Sequence, residues 1–103
     1  MTRRTILKTL EDPLKGKFVI APHVFVRELD DQLVLLDLDG GEYFGIDAVG
    51  ALVWRQLEAS GSVEDALSAV RREFDVDEDR AREDVLAFVA ELEQRKIVTR
   101  SED

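Results

Sequence analysis

The sequence predicts an α+β domain in which a three-stranded antiparallel sheet is followed by three helices. Two observations carry this. Apolar residues alternate with a period of two between Val24 and Ile46, then recur with a period near 3.6 to the end of the chain. Turn residues separate the segments in the same order, with Asp39-Gly40-Gly41 in the strand half and Ser60-Gly61 in the helix half. Runs of strands followed by runs of helices argue α+β, because strands and crossover helices do not alternate.

Val24–Leu29 is rich in β-branched and aromatic residues, with Pro22 just before it, where a strand tolerates proline. Asp30-Asp31 makes a turn into a second strand over Gln32–Leu38. Asp39-Gly40-Gly41 is a hairpin signal, since glycine takes positive φ at no steric cost, and Glu42–Ile46 is a short third strand at a sheet edge. Asp47 is the N-cap of a helix from Ala48 to about Ala59, with a core stripe of Val49, Leu52, Val53 and Leu57 and Trp54 alongside. Ser62, with Asp65 behind it, opens a second helix through about Phe74. Asp75 or Asp77 caps a third, which runs to about Lys96, and Ile97-Val98 packs back as a tail. Three short helices with tight connections and a sheet in front resemble a winged helix.

At 103 residues the chain is the size of one domain. Residues 1–16 read as a basic arm, 17–98 as the folded domain and 99–103 as an acidic tail. The absence of cysteine excludes disulfides, thiolate nucleophiles and Cys-ligated zinc, and fits a cytoplasmic setting. Met1–Leu10 lacks the apolar core of a signal peptide, and no apolar run is long enough to span a membrane. The net charge of -9 is unevenly spread: residues 1–17 carry +3 and the remainder -12. An acidic body repels phosphate backbones. The helix that would enter a major groove, Asp77 to Lys96, holds seven acids against Arg80, Arg82, Arg95 and Lys96. A recognition helix needs the opposite balance, so no nucleic-acid partner is expected.

Nothing in the chain reads as catalytic. His23 is the only histidine and has no Ser or Cys nucleophile motif beside it. Asp30, Asp31, Asp37 and Asp39 lack the ligand order of a calcium loop and are read as turn formers. Gly40-Gly41 does not lead into a helix, so no phosphate loop is implied. No metal or cofactor is expected, and the chain is expected not to be an enzyme.

The pattern does point to a binding surface. The second strand is apolar on both faces, with Val34, Leu36 and Leu38 on one and Leu33 and Leu35 on the other. Both faces therefore need cover, and Phe18-Val19-Ile20 is expected to fold back over the second. In the third helix Ala81, Val85, Phe88 and Leu92 form a tight stripe, with Val89 about 60° and Leu86 about 120° to one side. That arc is wider than one core contact needs. It predicts a groove between the third helix and the open edge of the third strand, with Leu86 and Val89 on the solvent side. An extended peptide adds itself to such an edge by backbone hydrogen bonds.

The stretch Leu35–Gly50, reading LLDLDGGEYFGIDAVG, resembles the PqqD family of leader-peptide recognition proteins. The resemblance continues through Trp54-Arg55-Gln56-Leu57, Ser62-Val63-Glu64-Asp65, Glu73–Val76 and Asp84–Val89, and covers roughly residues 24–98. Its wording is most similar to the stand-alone proteins of lasso peptide biosynthesis. The resemblance implies a winged-helix-like fold and a non-catalytic adaptor that captures the leader region of a ribosomally made precursor peptide. It implies delivery to a cysteine-protease-like leader peptidase, with an ATP-dependent cyclase closing the ring. The resemblance maps the groove onto Tyr43, Phe44 and Ile46 and onto Asp84, Val85, Phe88 and Leu92; with Leu86 and Val89 from the helical arc, and the neighbouring Gly45 and Arg82, these make the expected peptide-binding set. The alternatives are the same kind of chaperone in another modified-peptide pathway, such as that of pyrroloquinoline quinone, or a degenerate winged-helix transcription regulator.

Overall fold

The computed structural model describes residues 16–30 and 32–101. The elements run β1 (Phe18–Ile20), β2 (Val24–Leu29), β3 (Gln32–Asp37), β4 (Glu42–Ile46), α1 (Ala48–Ala59), α2 (Val63–Glu73), α3 (Glu78–Gln94) and β5 (Val98–Arg100). The expected sheet is present, antiparallel and in the order β2-β3-β4, so β4 lies at an edge. The expected basic arm, except Gly16, lies outside the described residues.

Each helix begins where a short polar side chain meets its orphan amides. Asp47 accepts from the Gly50 N–H at 2.8 Å, Ser62 from Asp65 at 3.1 Å and Asp77 from Arg80 at 2.9 Å. Between α1 and α2 the chain must turn tightly under β1. Gly61 has φ +73, and a Cβ there would sit 2.6 Å from the Phe18 carbonyl oxygen. Only glycine fits this position, and its own carbonyl accepts from Phe18 N–H at 2.8 Å.

Two expectations are corrected here. Phe18–Ile20 does not cover the second face of the sheet; it pairs with β5, Phe18 opposite Arg100 and Ile20 opposite Val98. The strand closes the helix side of the core, where Phe18, Ile97 and Val98 are buried. Beyond the β5 pairing, the Ser101 N–H donates to the Lys17 carbonyl at 2.8 Å. The second strand ends at Asp37 rather than Leu38, which lies exposed in the turn.

The sheet therefore has one buried and one open face. Leu33 and Leu35 are buried, while the cross-strand row Phe25–Leu36–Tyr43 lies on the other face, with Phe25 and Tyr43 exposed. Trp54 is the centre of the core at 0% exposure. Burying an indole contributes about 4–6 kcal/mol on an area basis. Its Nε1–H finds no partner among the described residues, which offsets about 1–3 kcal/mol of that gain. The α1 core face is centred on Gly50, Val53, Trp54 and Leu57, so Val49 and Leu52 are only half-buried.

Candidate peptide-binding groove

The open edge of β4 follows from one hydrogen bond. Leu38 N–H donates to the His23 carbonyl at 3.0 Å, on the β2 side of β3. Backbone groups of alternate residues in a strand point to opposite sides. Leu36 and Val34 therefore also face β2, whereas Asp37, Leu35 and Leu33 face β4 and bond to Glu42, Phe44 and Ile46, their partners in register. The remaining β4 residues, Tyr43 and Gly45, direct their N–H and C=O groups away from the sheet. Among the described residues no strand pairs with that edge.

Beside this edge runs a cleft of about 370 Å³ between α1 and α3. Val49, Gly50 and Val53 of α1 form one wall, and Asp84, Ala87, Phe88 and Glu91 of α3 the other, with Asp47 at the end nearest β4. Gly50 lets the walls close. A Cβ there would lie 2.3 Å from Ile46 Cγ2 and 3.4 Å from Phe88 Cε1, so β4, α1 and α3 meet at a point with no room for a side chain.

The floor is apolar and the rim acidic. Asp84 pairs with Arg80 at 3.7 Å, and Asp47 is engaged in capping. At the other end of α3, Arg95 crosses from helix to strand. Its guanidinium carbon lies 4.6 Å from the Phe44 ring centroid, with Glu42 of β4 at 3.7 Å and Glu91 of α3 at 3.4 Å. Such exposed pairs contribute about 0–1 kcal/mol each, so the bridge is easily opened. Among the described residues no group of three acidic, histidine or cysteine side chains is placed to hold a metal ion. His23 stands 3.6 Å from both Asp37 and Asp39, bracing the β3–β4 turn.

The sequence-predicted site residues separate into three groups. Tyr43, Phe44 and Gly45 lie at the open edge, and Asp84 and Phe88 line the cleft. Ile46, Val85 and Leu92 are core residues beneath it. Val89 is corrected: expected on the solvent side, it is buried at 4% exposure. Leu86 and Arg82 are turned from the cleft, about 160° and 120° around the helix from Phe88. Leu86 is half-buried against the core and Arg82 exposed. The cleft thus lies on the opposite flank of the apolar arc from the expected groove. The expectation took the Val89–Leu86 side as open, but β4 and α1 leave the Phe88 side open instead. Missed altogether were Gly50, Ala87, Glu91 and Arg95. The spacing of Asp84, Phe88, Glu91 and Arg95, at i, i+4, i+7 and i+11, marks one helix face and was the available signal.

Known proteins align with this geometry. The family model described as Coenzyme PQQ synthesis protein D (PqqD) matches residues 32–98. Among solved structures, one described as TbiB1 in complex with the TbiA(beta) leader peptide is 33% identical, with a TM-score of 0.74 over 82% of this chain and 98% of that one. A second, a lasso peptide synthetase B1 complexed with the leader peptide, is 27% identical, with a TM-score of 0.72 over 81% of this chain and 98% of that one. A search of curated protein sequences returns no match.

Proposed function

We propose, from the premise that this chain belongs to the PqqD family, that it is a leader-peptide-binding adaptor. The observation that carries the reading is the unpaired edge of β4, with Tyr43 and Gly45 presenting backbone donors and acceptors beside the α3 cleft. A leader segment adds as a further strand there and drops alternate side chains towards Phe88. Both solved neighbours are complexes with leader peptides, which supports this partner. One of them is a lasso peptide synthetase subunit, which supports a lasso pathway. The family model's own description favours the coenzyme pathway as the second reading.

The adaptor holds its peptide without chemistry of its own and hands it to a leader peptidase of cysteine-protease type and to an ATP-dependent cyclase. Lack of a nucleophile–base pair in the sequence supports the non-catalytic role. No helix among the described residues is long and apolar enough to cross a membrane.

The test is calorimetric titration of the full chain and of Gly45→Pro with the TbiA(beta) leader and the leader of the second solved neighbour as probes. The Gly45 N–H makes no ladder bond, so proline there removes none and mainly constrains φ. An added Cβ meets only the mobile amide of Gln32, at 2.7 Å. Binding should weaken more than about tenfold, because a peptide carbonyl loses its donor and the proline ring fills the edge. Unchanged affinity in the folded variant contradicts strand addition at β4.

A further inference from the structure

The Arg95 guanidinium stands over Phe44 and beside Glu42, both residues of β4, the strand to which a leader would add. Its role towards such a strand rests on the groove reading above. A residue of the added strand that sits opposite Phe44 points to the same side as Phe44, towards α3. Its Cβ lies about 4.5–5.5 Å from that of Phe44, since this is a non-hydrogen-bonded position on the β4 edge. The side chain is thereby brought against the Arg95 guanidinium, whose carbon stands 4.6 Å from the Phe44 ring.

Charge narrows what that side chain is. A base is repelled by the guanidinium. An acid finds the guanidinium already neutralised by Glu42 and Glu91, at 3.7 and 3.4 Å, and meets their repulsion. An uncharged side chain remains. The guanidinium is planar, its carbon lies over the Phe44 ring, and 43% of the side chain is exposed. The open face stacks best on a flat ring. Lysine carries the same charge without the plane.

We propose that Arg95 is a specificity-determining residue of the groove: it selects an uncharged, preferably aromatic, leader residue at the position opposite Phe44, held between the guanidinium and the cleft. In the free protein the same guanidinium already rests over Phe44 between Glu42 and Glu91, and these weak, exposed contacts let it adjust to the incoming side chain.

The experiment is a double-mutant cycle on the full chain. Arg95→Ala and Arg95→Lys are titrated against alanine scans of the TbiA(beta) leader and of the leader of the second solved neighbour. Melting curves serve as the control. The account expects coupling of about fivefold or more, or about 1 kcal/mol, at a single leader position, the same for both probes, and lost equally in Arg95→Lys. Replacing the residue at that position by Glu or Lys should weaken binding to the wild-type chain more than replacing it by Leu. Leader binding that persists with no coupling to Arg95 at any position overturns this inference and leaves the groove reading standing. Full coupling in Arg95→Lys overturns stacking in favour of simple charge. If neither leader binds the wild-type chain, the groove reading fails and this inference with it.

Discussion

Gly50 is where the helix, the strand and the groove depend on one missing methyl group, and Gly50→Ala isolates that dependence. Taken alone, the substitution favours the helix: alanine in a helix interior is more stable than glycine by about 0.8–1 kcal/mol. The structure reverses the sign. The new Cβ would lie 2.3 Å from Ile46 Cγ2, well inside van der Waals contact, and 3.2 Å from Asp47 Oδ1, the capping atom. Ile46 is buried at 6% exposure and cannot rotate into open space. Inserting a methyl into such a site costs about 1–3 kcal/mol, and displacing the cap about 1 kcal/mol more. The net loss is then about 1–3 kcal/mol. In a domain of this size each 1 kcal/mol lowers the melting temperature by about 4–8 °C. Thermal unfolding is followed by circular dichroism and by the emission of Trp54, the only tryptophan, which is fully buried. The variant should melt at least about 5 °C lower. A melting temperature equal to or above that of the parent would refute the close approach of Ile46 and Phe88 at Gly50, and with it the shape of the cleft.

Two further outcomes follow from the same geometry. Asp47→Ala removes the side chain that accepts from the Gly50 N–H at 2.8 Å, and should lower stability by about 0.5–2 kcal/mol in chemical denaturation with an unchanged slope. Leu86→Asp puts a charge on the flank turned from the cleft; it should lower the melting temperature because Leu86 is half-buried against the core, yet leave leader affinity within about twofold once the protein is folded.

The local signals in the sequence proved sufficient for the sheet and the three helices, because each is written in neighbouring residues. Asp47, Ser62 and Asp77 each cap the helix they precede. The strand period set Leu33 and Leu35 on one face and Val34 and Leu36 on the other, but with both faces apolar it did not mark which is core; the fold buries the first pair. The β1–β5 pair was not legible. Each strand has three residues, too few to show a period, and they join opposite ends of the domain. The side of α3 that lines the groove was not legible either. Periodicity gives the width of an apolar arc, but which edge stays open depends on where β4 and α1 press against it. Phe88 and Val89 are adjacent and both apolar; the fold makes one a wall of the cleft and the other core. Arg95 stood in the sequence as one base among acids, and only its position over Phe44 gives it a role.

The central claim is that a leader peptide adds as a strand to β4, and the amide hydrogens of that strand report on it directly. Hydrogen exchange of each β4 amide is measured by NMR with and without saturating leader peptide, using the TbiA(beta) leader. In the free protein Phe44 and Ile46 amides face β3 and should exchange slowly, while those of Tyr43 and Gly45 face solvent and should exchange fast. With peptide bound, Tyr43 and Gly45 should become protected by about tenfold or more while Phe44 and Ile46 stay protected. Saturating binding that leaves the Tyr43 and Gly45 amides exchanging as in the free protein would contradict strand addition at this edge.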